Sequence, residues 1–257
     1  DGITIPDTDP LILLAEANYN HVPTIMGTNR DEVRLYQIFD PTFVDVDFIG
    51  RPVAKNMALY QRAAYYGSQA WKIRGVDLPI SLMRENHEAT LYAYRFDWDE
   101  QADPMWVDLP NLLGASHAHE ISFVLGQFEK RDFPTNHYRD EDSERLKLSA
   151  GMMSYWAAFA RDGMPGVGLN GEMPPWAEWP TIERAGPTMM GFDTLSGGGI
   201  RMHGEVITSV ELLDELEGDD LVKNFKAKCT IAKKFAGYRN LAEPLLQAQL
   251  ILKWCGK

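Results

Sequence analysis

Apolar residues fall along this chain in two kinds of pattern. Short, nearly continuous runs at His21–Gly27 and Ala89–Trp98 read as strands buried on both faces. The second is dense in tyrosine and phenylalanine, and Pro23 lies near the first residue of the first, where a strand tolerates it. A third, shorter run at Thr188–Asp193 reads as a terminal strand. Elsewhere the apolar residues recur at helical spacing. The clearest case is Ser143–Asp162, with Leu148, Met152, Tyr155, Trp156 and Phe159 on one face. Asp142 or Ser143 is placed to cap it, Glu144 sits in its first turn, and Gly163 and Pro165 end it. Asp9-Pro10 opens a short helix striped by Leu11, Leu13, Leu14 and Ala17. Residues 40–88 read as helical, punctuated by Pro41 and Pro52, with Asp77–Asn86 as a further helix. Residues 204–257 read as a helical tail with an apolar finish at Leu245, Leu246, Leu250, Ile251, Leu252 and Trp254. Two buried runs separated by a long helical crossover predict parallel neighbours near 22–27 and 90–96, in one sheet with helices on both faces.

Candidate chemistry sits at Gly114-Ala115-Ser116-His117-Ala118-His119-Glu120, ahead of an apolar run that closes on Gly126. Small residues let the backbone bend tightly and leave an imidazole reachable. On its own this stretch fits a metal site, since His117-x-His119 with Glu120 offers ligands. It also fits one end of a Ser-His-acid triad. The second reading gains from the turn after the first strand, where Asp31 and Glu32 offer carboxylates ahead of the histidines in the chain. Nucleophile, acid, histidine is the chain order of the α/β-hydrolase triad. Without other information, the two acids equally suit the first turn of a helix, where the dipole favours negative charge.

Five blocks, in order and at plausible spacing, resemble the type-B carboxylesterase and cholinesterase family: GTNRDE (Gly27–Glu32), YRFDW (Tyr94–Trp98), GASHAHEISFVLG (Gly114–Gly126), YWAAFARDGMP (Tyr155–Pro165) and WPTI (Trp179–Ile182). The resemblance implies the C-terminal portion of an α/β-hydrolase domain over residues 1–235, its sheet incomplete without an N-terminal half, and a helical tail, 236–257, packing on it. It implies Glu32 as triad acid, with Asp31 the chemical alternative, and His117 as the base. By the same resemblance His119 is a pocket-edge or structural residue, Glu120 supports the loop, and Ala118 stands where the family usually carries glycine. The family's nucleophile lies in Gly-x-Ser-x-Gly, and no such pattern occurs here; Ser68, Ser116 and Ser196 all lack it. The expected activity is carboxylic ester hydrolysis without cofactor or metal, on a small-molecule ester. The expected partner is the N-terminal half of the same esterase, as a separate chain or another segment. A non-catalytic, esterase-like interaction module is the alternative, and the presence of both Glu32 and His117 favours the enzyme.

Composition trims the remaining possibilities. Hydrophobic content of 45% and charged content of 24% are ordinary for a globular chain. A net charge of −12 argues against nucleic-acid binding and gives no attraction to an anionic membrane. No apolar run is long enough to span a bilayer. Cys229 and Cys255 have no metal spacing, and both read as free thiols, which points to a reducing, cytoplasmic setting. The absence of an Asn-x-Ser/Thr sequon agrees. Tyr65, Tyr66 and Trp71 read as core rather than as pocket lining, and His137 as solvated.

Overall fold

A computed structural model describes the chain at all positions other than 1, 5, 87–89, 104–105, 129–137, 139–141, 182–184, 205, 238–253 and 256–257. The elements run in the order α1 (Pro10–Ala15), β1 (Thr24–Asn29), α2 (Arg34–Gln37), β2 (Val44–Val46), β3 (Pro52–Ala54) and α3 (Met57–Lys72). A π-helical turn (Ile73–Asp77) leads directly into α4 (Leu78–Asn86), followed by β4 (Leu91–Phe96), α5 (Leu109–Leu112), α6 (His119–Leu125) and α7 (Ser143–Asp162). β5 (Met189–Phe192), β6 (Arg201–His203), α8 (Ser209–Gly218) and α9 (Phe225–Gly237) follow.

Four strands form one sheet in the order β1-β4-β5-β6. β1 and β4 are parallel, in register from Thr24↔Leu91 to Asn29↔Phe96, and β5 runs parallel on the other side of β4. The predicted pair of parallel neighbours is thus present. Alternate residues of β4 and β5 feed two separate cores, which is why these strands read as unbroken apolar runs. Tyr92, Phe96, Met190 and Phe192 pack with Phe123 of α6 and with Leu148, Met152 and Tyr155 of α7. Leu91, Ala93 and Met189 pack with Val76, Ile80 and Met83 of the π-turn and α4. A third core joins α3, α5, α8 and α9. Gly27 lets β1 lie against β4: a Cβ there would fall 1.9 Å from the Tyr94 ring.

α7 matches its predicted bounds. The Asp142 carboxylate accepts the Glu144 and Arg145 amides, and Gly163 ends the helix at φ 72°. Three short strands escaped the sequence pattern. β2 and β3 form an antiparallel hairpin inside the stretch that read as helical. Three-residue strands leave no periodicity to detect. What makes the hairpin is its turn, where Asp47 accepts the Ile49 and Arg51 amides and pairs with the Arg51 guanidinium at 2.7 Å. β6 is equally short and lies antiparallel to β5.

The cysteines correct the sequence reading. Cys229 and Cys255 are joined in a disulfide, with Cα atoms 5.1 Å apart, so neither is a free thiol. Distance along the chain does not report distance in space, and burial of Trp254 in the α3–α8–α9 core brings its neighbour Cys255 to α9. The argument for a reducing compartment therefore loses its basis. Leu245, Leu246, Leu250, Ile251 and Leu252 of the apolar finish, and His137, lie outside the described residues.

Beyond the ends of β4 and β5 lies a group of acids. Asp97 pairs with Arg95 at 2.6 Å and Asp99 with Arg30 at 2.5 Å, and Glu100 accepts the Thr194 hydroxyl. Asp193 accepts the Thr194 amide at 2.8 Å. Burial, reinforced by nearby Glu100, pushes its carboxyl up to about 6.

Two measurements check this description. Thiol titration of the denatured chain should find no free thiol among Cys229 and Cys255 before reduction and both after it, with reduction lowering stability by about 2–4 kcal/mol. The second concerns Asp193. Because its folded value is raised, the native state binds a proton more readily than the unfolded chain, so the cost of its buried charge is felt in full above the folded value. That cost disappears as pH falls through the folded and then the unfolded value. Its contribution to stability therefore declines as pH rises from 3.8 to about 6. In urea melts, the stability of Asp193→Asn relative to the parent should increase across that window, whereas a constant difference would show that Asp193 does not titrate as described.

Candidate functional site

The parallel register of β1 and β4 carries both chains out at the same end of the sheet, and the two loops that follow meet there. Asp31 N–H donates to the Ala115 carbonyl at 2.9 Å, and His117 N–H donates to the Glu32 carbonyl at 3.3 Å. Glu32 is 4% exposed. Its Oε1 accepts the Asn29 amide at 2.8 Å and the Thr28 hydroxyl at 3.3 Å, and its Oε2 faces His117 Nδ1 at 2.7 Å. The acid and the histidine expected from the sequence are thus in hydrogen-bond contact. Burial raises the Glu32 carboxyl above its ordinary range; the Asn29 amide and His117 pull it down, and Glu120 adds to the rise.

The His117 side chain is 38% exposed, while that of Glu32 is only 5% exposed. Among the described residues the His117 ring has no hydrogen-bond partner besides Glu32. A proton held on Nδ1 by the carboxylate leaves Nε2 as a free acceptor, which is the tautomer a general base needs. Tyr36 and Trp71 flank the imidazole, their ring centroids 5.7 and 5.2 Å from it. Trp71 therefore belongs to the site, although its helical spacing read as core. Tyr66 is core as expected, and Tyr65 is partly buried. Their hydroxyls donate to Asp219 at 2.8 Å and Glu215 at 2.9 Å, docking α8 on α3.

Asp31, the alternative acid, is committed elsewhere. It pairs with Arg30 at 2.9 Å and with Arg34 at 3.0 Å, and accepts the Ala115 amide at 3.1 Å. It fixes the start of the histidine loop, a role the sequence did not reveal. Gly114 adopts φ 54°, and a Cβ there would meet the Asp31 carboxylate at 2.3 Å. Ala118 also lies in the left-handed region, at φ 69°. This explains why glycine suits the position, and alanine holds it at a cost of roughly 1 kcal/mol.

His119 does not share the exposed face of His117. It is 4% exposed, with Nε2 3.5 Å from the Ser116 hydroxyl and Nδ1 3.4 Å from the Gln101 amide. Gln101 in turn donates to the Gly114 carbonyl at 2.6 Å, so this cluster props the loop from within. The two histidines thus serve different partners. Glu120, in the first turn of α6, accepts from the Asn29 side chain at 2.5 Å. The three serines beside glycines or in loops are engaged elsewhere: Ser68 accepts the Val33 amide, Ser116 is fully buried, and Ser196 donates to Glu144.

Comparison with known proteins gives the family and the fold. The model of the carboxylesterase family matches residues 66–194, half of the chain. Acetylcholinesterase of Electrophorus electricus is 34% identical over 110 residues, covering 42% of this chain and 16% of that protein. Cocaine esterase of Homo sapiens is 27% identical over 218 residues, covering 72% of this chain and 36% of that protein. The chain thus spans well under half the length of these relatives. A solved structure of a PNB esterase superposes with a TM-score of 0.50 at 22% identity, over 81% of this chain and 41% of that one. That likeness carries the fold, a part of the α/β-hydrolase architecture. Parallel strands with helices on both faces agree with it, and this chain belongs to the carboxylesterase family.

Proposed function

We propose that this chain supplies the acid and the base of a Ser-Glu-His triad in a carboxylic ester hydrolase, and that the nucleophilic serine comes from residues outside it. One observation carries the reading: the 2.7 Å contact of His117 Nδ1 with a buried Glu32, on an imidazole that is itself 38% exposed. A structural histidine has no need of that exposure, and a surface ion pair has no need of a buried carboxylate. The partner is the N-terminal half of the same esterase, as a second chain or a further segment, laid against β1 at the edge of the described sheet. An esterase-like binding module would have no use for both members of the dyad.

In this mechanism a serine hydroxyl attacks the carbonyl of a small-molecule ester while His117 Nε2 takes its proton. Glu32 holds the imidazole in the required tautomer and stabilises the imidazolium that forms. Backbone N–H groups of the serine-bearing half hold the oxyanion. His117 then returns the proton to the departing alcohol, leaving an acyl-enzyme that water hydrolyses by the same steps. Tyr36 and Trp71 flank the imidazole that carries the proton.

The two histidines separate this reading from its neighbours. In the full-length protein, His117→Ala should lower kcat by at least about 1,000-fold, with little change in thermal midpoint. His119→Ala removes a buried ring, so it should lower the midpoint and spare turnover by comparison. Loss of turnover in His119→Ala with retention in His117→Ala would move the base to the other histidine.

A further inference from the structure

We propose that Asn29 is a positioning residue for the dyad, joining the acid strand to the histidine loop through one side chain. The inference rests on the esterase reading above. Asn29 ends β1 and is 2% exposed. Its backbone N–H holds Glu32 Oε1 at 2.8 Å. Its side-chain Nδ2 donates to the Ser116 carbonyl at 2.8 Å and to Glu120 Oε2 at 2.5 Å. Neither a carbonyl nor a carboxylate has a proton to give, so these two partners fix which way round the amide sits. Ser116 directly precedes His117, and Glu120 follows three residues later. The amide therefore grips the loop on both sides of the base, while the same residue's backbone fixes the acid.

The side chain is used for its donors alone. Asn29 Oδ1 is buried with no hydrogen-bond partner among the described residues. A residue kept only to fill this space would not need an acceptor left idle in the core, which is a cost. The donors also decide what Glu120 does. This second carboxylate lies near enough to Glu32 to oppose its ionisation. While the Asn29 amide engages it, it is kept from competing with Glu32 for the imidazole. Asn29 thus pairs one acid with the base and holds the other acid away.

Asn29→Asp tests this, because it keeps the size of the side chain and the backbone N–H while removing both side-chain donors. In the full-length protein, turnover of p-nitrophenyl acetate should fall in kcat on the order of 100-fold, with KM changing less than about threefold. The low-field proton resonance of the His117–Glu32 hydrogen bond, identified by its loss in His117→Ala, should vanish as well. Adding Glu120→Gln reverses donor and acceptor across the contact, and should restore the resonance and at least about tenfold of the lost kcat. Wild-type kcat and an intact resonance in Asn29→Asp would overturn the inference, as would a lowered melting temperature with neither changed. Should Asn29→Asp not fold, Asn29→Ser, which shortens the donor's reach, carries the same test, and unchanged kcat and resonance there overturn it equally. A wild-type protein that shows the resonance but hydrolyses no ester would refute the esterase reading instead, and the resonance in the variants would still decide the role of Asn29.

Discussion

A carboxylate buried to 4% exposure must find donors, and meeting that need organises the candidate site of this molecule. Glu32 obtains them from β1 itself, through the Asn29 amide and the Thr28 hydroxyl, and from the histidine loop, through His117. The strand-derived donors come with the tight turn that follows β1. The third exists only because β1 and β4 run parallel and in register, so that the loops after both strands leave the sheet at the same end. An antiparallel pairing would send them to opposite ends, and the carboxylate would lose the imidazole. The register in turn depends on Gly27, whose missing side chain leaves room for the Tyr94 ring.

The loop that presents His117 is held from several sides. Asp31 grips its start through the Ala115 amide, and Gln101 and His119 support it from the interior. Asn29 and Glu120 clamp it on either side of His117. Small residues at Gly114, Ala115 and Ala118 let the backbone bend among these partners, and two of them lie in the left-handed region. The imidazole that emerges is held at Nδ1 and partly exposed, with Tyr36 and Trp71 beside it. Rigid support beneath an exposed imidazole is what proton transfer at a defined point requires.

Much of this could be read from the sequence, for identifiable reasons. The strands at β1, β4 and β5 showed because both faces of the sheet are covered, which forces apolar residues into runs. The helix at Ser143–Asp162 showed because it carries both its caps and a full apolar face. Glu32 and His117 could be proposed from a family likeness, but adjacent acids at 31 and 32 look alike as residues. Only the turn sends one to the imidazole and the other to Arg30 and Arg34. β2, β3 and β6 were hidden because three residues carry no period, and the disulfide because its partners meet only in space. The side-chain contacts of Asn29 and Gln101 were hidden for the same reason: each is made with a partner distant in sequence.

The central claim is that His117 and Glu32 activate a serine lying outside these residues. It is tested most directly by labelling the full-length protein with a fluorophosphonate and locating the adduct by peptide mass spectrometry, since such probes react with an activated serine. The account predicts a single adduct on a serine outside residues 1–257, within Gly-x-Ser-x-Gly, and its near-complete loss in Glu32→Ala. An adduct on Ser68, Ser116 or Ser196, or labelling that survives removal of the Glu32 carboxylate undiminished, would contradict it.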